Sequence, residues 1–379
     1  MPNPTIYVAS AGTGKTTALL NILSKLLAHT KPEKIAFTTF TNAGAKELAH
    51  RACLKFPALS EENFRYFRTL HSIAYRSIPY APMVSRSDLI SYGMHSGYPI
   101  TGANAINKKD GNTNQRAGLG DHMLSLDSLM RSKMITPSEI ATTQEVTHFS
   151  ANQIEDFSLK YRECRESLGK YDFTDMLEQF FVTVKQHPLN IEALLVDEAQ
   201  DLSALQWAIV NEIAKHIDDY VIAGDDKQAI YAFNGGQPEI LIDMEGDRVV
   251  LNTSYRLPQS VLEYSEGIAS KIKKKQDYTV ESLKETGSVQ RILGINQLDL
   301  SQGTWFFLAR NRSFLPWIEG ELMKAGVLFD SDSAEAILSP GLLECIKQWK
   351  ELRKGFSIPV TAAKEIYGYL KSGPGVKRG

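Results

Sequence analysis

The chain opens on a short apolar run, Ile6-Tyr7-Val8, that passes directly into Ala9-Ser10-Ala11-Gly12-Thr13-Gly14-Lys15-Thr16. No other stretch limits the fold as strongly. A small residue, four positions and then Gly-Lys-Thr is the form of a phosphate loop, with Ala9 where the first Gly commonly stands. A buried strand leads in and a helix over 17–28 leads out. The N–H groups of a tight turn and of the helix N-terminus then converge on one point, a geometry suited to polyphosphate oxygens. There the Lys15 ammonium would reach the β- and γ-phosphates, and the Thr16 hydroxyl would hold Mg²⁺.

Length and composition set the outer bounds. With 379 residues the chain is expected to form about two or three domains. Hydrophobic residues make up 43% and charged residues 23%, a globular balance without disorder-like bias. The formal net charge is −2, so a nucleic-acid site has to be a local basic or aromatic groove. Cys53, Cys164 and Cys345 are odd in number and far apart, which argues against a disulfide framework or a Cys-rich zinc site and for a reducing compartment. Neither a signal-like segment nor an apolar run of about 18 residues is present, so a cytoplasmic protein with no membrane partner is expected.

Further along, 34–40 reads as the next parallel strand, and Thr41-Asn42 offers caps for the helix that follows. Taken alone, Phe40 serves a core as well as a surface. His71 stands at another strand-to-helix junction, where a lone histidine is more often a structural hydrogen-bonding group. From about 79 to 164 the apolar spacing turns helical, in Met123-Leu126-Leu129-Met130 and Ile154-Phe157-Tyr161, around a polar run over 101–120. Lys108, Lys109 and Arg116 in that run suit a nucleic-acid backbone or a solvated loop equally.

The strongest chemistry lies at the end of another short buried strand. Ala193-Leu194-Leu195-Val196 runs into Asp197-Glu198, and adjacent acids after an all-apolar strand are costly unless solvated, paired or metal-bound. An Asp there can complete the Mg²⁺ shell begun by Thr16, and the next Glu can deprotonate a water for attack on the γ-phosphate. A further strand, 220–223, delivers Gly224-Asp225-Asp226-Lys227-Gln228, with Gln228 placed to sense the γ-phosphate or its water.

Together these segments resemble the UvrD/Rep/PcrA-like group of superfamily 1 DNA helicases. The resemblance is carried by ASAGTGKT (9–16), FTTFTNAGAKEL (37–48), TLHSIAYR (69–76), LLVDEAQD (194–201) with GDDKQAIYAFNG (224–235), and LNTSYR (251–256). It implies an α/β fold, a RecA-like P-loop NTPase with a parallel sheet, a helical insertion and a partial second RecA-like domain. It also implies movement along single-stranded DNA, 3′ to 5′, driven by ATP with Mg²⁺, on single strands or single/double-strand junctions. Residue by residue it implies phosphate binding by Ala11 to Thr17, metal binding by Thr16 and Asp197, and catalysis by Lys15, Glu198 and Gln228. Arg256 would act as an arginine finger, worth roughly 10³ to 10⁵ in rate. Tyr255 would stack on the adenine. Phe40, Thr41, Asn42, His71, Tyr231 and Phe233 would line the strand, with Phe233 in place of a more usual Trp; each such ring is worth about 1–3 kcal/mol per base.

Departures from the family are also legible. The segment whose Gln reads the adenine edge does not precede the first strand, Thr17 stands where many relatives have an Arg, and Asn234 replaces another. Arg248 to Arg256 is expected to be the first strand of the second motor domain, followed by a helix from 258 to about 275 that ends in Lys271, Lys273, Lys274 and Lys275. Strands are expected at 288–293, 304–309 and 327–329, with a helix over 313–325 between the last two. The Lys-Gly segment that grips DNA and a second γ-phosphate Arg are not found: Lys354-Gly355 lacks the context, and after Arg312 only Arg353 and Arg378 remain. The expected organisation is 1–80 and 165–247 for the first motor domain, 81–164 for the insertion, 248–330 for a partial second domain, and 331–379 for the truncated start of another insertion. A further C-terminal segment or a protein partner would complete the site. Two other readings stay open at this point: a nucleotide- and DNA-binding regulatory module with little ATPase, and a small-molecule kinase, which the paired acids disfavour.

Overall fold

The structure, a computed structural model, describes residues 2–80, 82–101, 118–143, 149–310, 314–331 and 340–369. The polar run after Thr101, with Lys108, Lys109 and Arg116, falls almost wholly outside them. The described residues form a larger unit reaching Gln290 and a smaller one from Arg291 onward.

In the larger unit, β1 (Thr5–Ala9) leads to α1 (Lys15–Leu26), β2 (Ile35–Thr38), α2 (Asn42–Lys55), β3 (Tyr66–Arg68) and α3 (Leu70–Ser77). Helices α4 (Arg86–Ser96), α5 (Leu119–Lys133), α6 (Pro137–Ala141) and α7 (Ala151–Leu168) come next. The chain returns through α8 (Phe173–Gln186), β4 (Ala193–Val196), α9 (Ala204–Ala214), β5 (Asp219–Gly224), α10 (Pro238–Asp243) and β6 (Asp247–Leu251). The strands form one six-stranded sheet in the order β3-β2-β4-β5-β1-β6, and every adjacent pair is parallel.

The pleat explains the sequence pattern. Parallel strands covered on both faces read as unbroken apolar runs, and every residue of β2 and β4 is buried. Alternate residues point to opposite sides. Ile6, Val8, Ala36, Leu194, Val196 and Ile222 share one core with Phe180 of α8 and Trp207 of α9. Ile35, Phe37, Ala193, Leu195 and Val221 share the other with Leu19 and Leu23 of α1 and Leu48 of α2. Helices α4, α5, α6 and α7 surround a third core that includes Tyr92, Met123, Leu126, Met130, Ile154, Phe157 and Tyr161. Because β1 lies between β5 and β6, the carboxyl ends of β1, β2, β4 and β5 share the edge where open α/β sheets bind ligands.

The single strand expected over 248–256 is two strands. Residues Asp247–Leu251 pair with β1 as the sheet's edge, Val8 facing Val250, and so belong to the first sheet. The chain then breaks at Asn252, and β7 (Thr253–Pro258) pairs in parallel with β8 (Glu281–Lys284). The bare flank of β1 needed a neighbour, and an apolar run does not itself state which sheet it joins. Between these strands α11 spans Gln259–Ala269, shorter than expected, so Lys271 to Lys275 follow the helix. Lys274 there meets Asp243 at 2.5 Å.

The smaller unit contains α12 (Leu315–Lys324), α13 (Pro340–Arg353) and α14 (Val360–Tyr369). The strands expected at 304–309 and 327–329, like the one at 288–293, do not form among the described residues. Leu293, Phe306, Leu308 and Leu328 are 92%, 85%, 90% and 85% exposed. A parallel strand needs both faces covered, and these apolar side chains have no such cover.

Candidate nucleotide-binding and strand-facing site

The turn after β1 is shaped by two glycines. Gly12 and Gly14 have φ of 75° and 80°, a left-handed region that L side chains seldom enter. Thr13 closes the turn by donating its hydroxyl to the Ser10 carbonyl at 2.8 Å. Gly14 supplies no side-chain cap to α1, so the first N–H groups of that helix face the turn uncapped by any side chain. Gly12 also permits a close approach. A Cβ placed there would stand 2.4 Å from Cβ of Arg256. The start of β7 is bonded to the same turn: Ser254 Oγ donates to the Ala11 carbonyl at 2.9 Å, and Tyr255 N–H to the Gly12 carbonyl at 2.9 Å.

Lys15, at the start of α1, reaches across to the end of β4. Its Nζ lies 2.6 Å from Glu198 Oε2 and 3.4 Å from Asp197 Oδ1. Burial works against the ammonium, yet the two carboxylates outweigh it and raise its pKa. Burial raises the pKa of Asp197, with Lys15 opposing. Burial also acts on Glu198, but Lys15 and the Gln200 amide prevail and lower its pKa. The Asp197 N–H donates to the Thr38 carbonyl at 2.8 Å, which joins the β2 end to the acidic pair. Thr16 is half-buried beside Lys15, and Thr17 is exposed. No group of three or more His, Cys, Asp or Glu suited to a metal occurs among the described residues.

A chain of amides and carboxylates links β4 to β5. Gln200, almost fully buried, donates to Glu198 at 2.8 Å and to Asp201 at 3.2 Å, while its carbonyl accepts the Asp225 N–H at 3.0 Å. Asp225 in turn accepts the Gln228 amide at 2.5 Å. Gln200 and Asp225 were not singled out by their sequence, although both lie inside the motif strings, because their role is to hold neighbours in place. Tyr255 is 61% exposed, and its ring edge comes 4.0 Å from the point where a Cβ on Gly14 would stand. Arg256 is exposed beside it.

The aromatic residues form a short row of mutually tilted rings. Phe40 and Tyr231 have ring centroids 4.7 Å apart, and Tyr231 and Phe233 5.9 Å. Phe233 is exposed. Thr41 caps α2 by accepting the Gly44 N–H at 3.0 Å, and Asn42 accepts the Thr69 hydroxyl at 3.4 Å. His71, in the first turn of α3, packs edge-on against Phe173 at 6.3 Å. Burial pulls its pKa down to about 4. Phe173 is exposed, and its place at the start of α8 gave no sign that it neighbours His71.

Among the described residues no helix is long and apolar enough to cross a membrane. Residues 1–248 match the family described as the UvrD/REP helicase N-terminal domain. Similar proteins include DNA helicase II of Haemophilus influenzae, 24% identical over 375 residues, or 90% of this chain and 48% of that protein. ATP-dependent DNA helicase Rep of Buchnera aphidicola is 24% identical over 79% of this chain and 48% of its own length. For ATP-dependent DNA helicase PcrA of Leuconostoc citreum the values are 26%, 70% and 37%. The chain thus spans about half the length, or less, of these curated relatives. With more than half of its residues matched, the chain belongs to the UvrD/REP helicase N-terminal domain family.

Proposed function

We propose that this chain carries the nucleotide-hydrolysing core of an ATP-dependent DNA helicase that moves 3′ to 5′ on single-stranded DNA in the cytoplasm, engaging single strands or single/double-strand junctions. The observation that carries this reading is the contact of Lys15 with Glu198 and Asp197, which places a phosphate-loop cation against two acids at the sheet edge. A bound triphosphate would compete with these acids for the Lys15 ammonium and free Glu198 to act as base. Phosphate oxygens are held by the N–H groups of Ala11, Gly12, Thr13 and Gly14 and by Lys15, with Thr16 and Thr17 extending the site along α1.

The Thr16 hydroxyl and the Asp197 carboxylate are hard oxygen donors, and a single carboxylate with a hydroxyl suits Mg²⁺, which keeps waters and phosphates as its other ligands. When bound, Mg²⁺ neutralises charge on the β- and γ-phosphates. Glu198 takes the proton of the attacking water, Gln228 orients that water, and Arg256 answers the charge that develops on the transferred group. Tyr255 stacks on the base. Phe40, Tyr231 and Phe233 bear the strand by stacking, with Thr41, Asn42 and His71 beside it, consistent with a net charge of −2 that offers no general attraction for DNA. Residues 1–80 and 165–251, the edge strand Asp247–Leu251 included, make the first motor domain, and 81–164 its helical insertion. The rest is the start of the second, completed by a further segment or a protein partner.

Hydrolysis of ATP by the purified chain, stimulated by a single-stranded oligonucleotide and abolished by Lys15→Ala or Glu198→Gln, tests the reading. A regulatory nucleotide- and DNA-binding module is the second reading, favoured by the open apolar side chains at Phe306, Leu308 and Leu328. Nucleotide and strand binding with no hydrolysis would establish that second reading in place of the first.

A further inference from the structure

Tyr278 lies outside every motif that marks the site, yet its hydroxyl ends in the middle of it. Tyr278 Oη donates to Asp225 Oδ1 at 2.9 Å, and the other oxygen of that carboxylate accepts the Gln228 amide. Tyr278 is 9% exposed and is fastened from several sides. The Lys227 ammonium lies 4.1 Å over its ring and donates to its carbonyl at 3.3 Å, while a 2.8 Å pair with Glu266 of α11 fixes that ammonium. Two residues earlier, Gln276 donates its backbone N–H to Asp226 at 2.9 Å. The segment 276–278 is therefore locked to the turn 225–228. Three residues later the same segment enters β8, which pairs with β7, the strand carrying Tyr255 and Arg256.

The chemistry of an amide gives this contact its consequence. Gln228 can present either its NH₂ or its oxygen in a given direction, and only the partner decides. A carboxylate that accepts on Oδ2 takes the NH₂ and turns the amide oxygen away from Asp225. Tyr278 occupies Oδ1 as a donor and so holds Asp225 in that accepting role. Burial pushes the Asp225 pKa up to about 6, against which the Tyr278 hydroxyl and the Gln228 amide act together. Losing the Tyr278 donor would weaken that hold on both residues.

Building on the hydrolysis reading above, we infer that Tyr278 is a positioning residue for ATP hydrolysis, acting through Asp225 to orient the Gln228 amide and tying that orientation to the strand that bears Arg256. The test is steady-state ATP hydrolysis with saturating single-stranded oligonucleotide, comparing wild type, Tyr278→Phe, Gln228→Ala and the double variant, with Lys15→Ala as the blank. Phe keeps the ring under Lys227, so a thermal melt like that of wild type is expected. The expected result is a kcat about tenfold lower for Tyr278→Phe with KM for ATP within about twofold, and a double variant no slower than Gln228→Ala alone. Asp225→Asn, which puts an NH₂ donor in place of one of the two accepting oxygens and so cannot accept from both Tyr278 and Gln228, should give the same loss and the same non-additivity. An unchanged kcat in Tyr278→Phe, or losses that multiply in the double variant, would overturn the inference. A wild type no faster than the Lys15→Ala blank would overturn the hydrolysis reading and this inference with it.

Discussion

Glu198 adopts φ 56° and ψ 40°, a left-handed conformation that a non-glycine residue holds only when its surroundings require it. Such strain costs on the order of 1–3 kcal/mol and collects at functional positions. Here the Lys15 pair, the Gln200 amide and the Glu198 N–H bond to Asp197 at 2.9 Å supply the restraint. Gly12 is constrained in the opposite sense, because its bare Cα admits Arg256. Gly12→Ala should therefore lower stability by about 1–3 kcal/mol in urea unfolding, through φ alone. Nucleotide affinity should fall further, since the added methyl displaces Arg256 as well. His71 is neutral at pH 7, its pKa lying near 4. Replacing it with Ala should weaken strand binding while leaving the slope of log K against log salt unchanged, as expected for a group that releases no counterion.

At the scale of elements, the helices α4 to α7 are tied to the sheet-bearing part by buried charge. Arg131 of α5 meets Asp127, Asp172, Asp175 and Glu178 at 3.2, 2.9, 2.5 and 2.7 Å, three of them at or in α8. Arg165 also meets Asp172 and Asp175, at 3.6 and 2.6 Å, so Arg131→Ala chiefly strands the buried Asp127 and should cost about 3 kcal/mol, read from the urea midpoint. Asp88 makes a smaller link, capping α4 through Ser85 and accepting Lys170 at 2.6 Å. Its pKa is lowered from 3.8 to about 2, chiefly by the Lys170 bond and then by Ser85. A depressed carboxylate supplies stability that is complete above about pH 4 and lost as pH falls toward 2. Asp88→Ala should remove about 1 kcal/mol at pH 7 and flatten that acid limb in pH-dependent melts.

These two links show what sequence can and cannot carry. Strands such as Ala193–Val196 and the phosphate loop were legible because parallel burial and tight phosphate geometry leave local signatures. The partners of Arg131 and Asp225 lie far along the chain, and nothing near an Arg or Asp names a residue 41 or 53 positions away. Residues 288–293 failed as a strand for a related reason: periodicity reports a face able to be buried, while the neighbour that buries it is a tertiary fact.

For the whole molecule, the balance of 42 basic and 44 acidic residues gives no general attraction for a polyanion, so the proposed strand binding calls for a local surface. The tilted rings of Phe40, Tyr231 and Phe233 would offer that surface beside the candidate nucleotide site, and Tyr231 and Phe233 follow Gln228 by only a few residues. Under the proposed reading, a base stacked on Phe233 and a γ-phosphate sensed by Gln228 would act on one short turn. Through this turn, hydrolysis is expected to depend on the strand. The most direct measurement is ATP turnover by the intact chain with and without a single-stranded oligonucleotide, in wild type and Glu198→Gln. Turnover that rises with the oligonucleotide and vanishes in Glu198→Gln is expected; wild-type protein that binds both ATP and strand without turnover would contradict it.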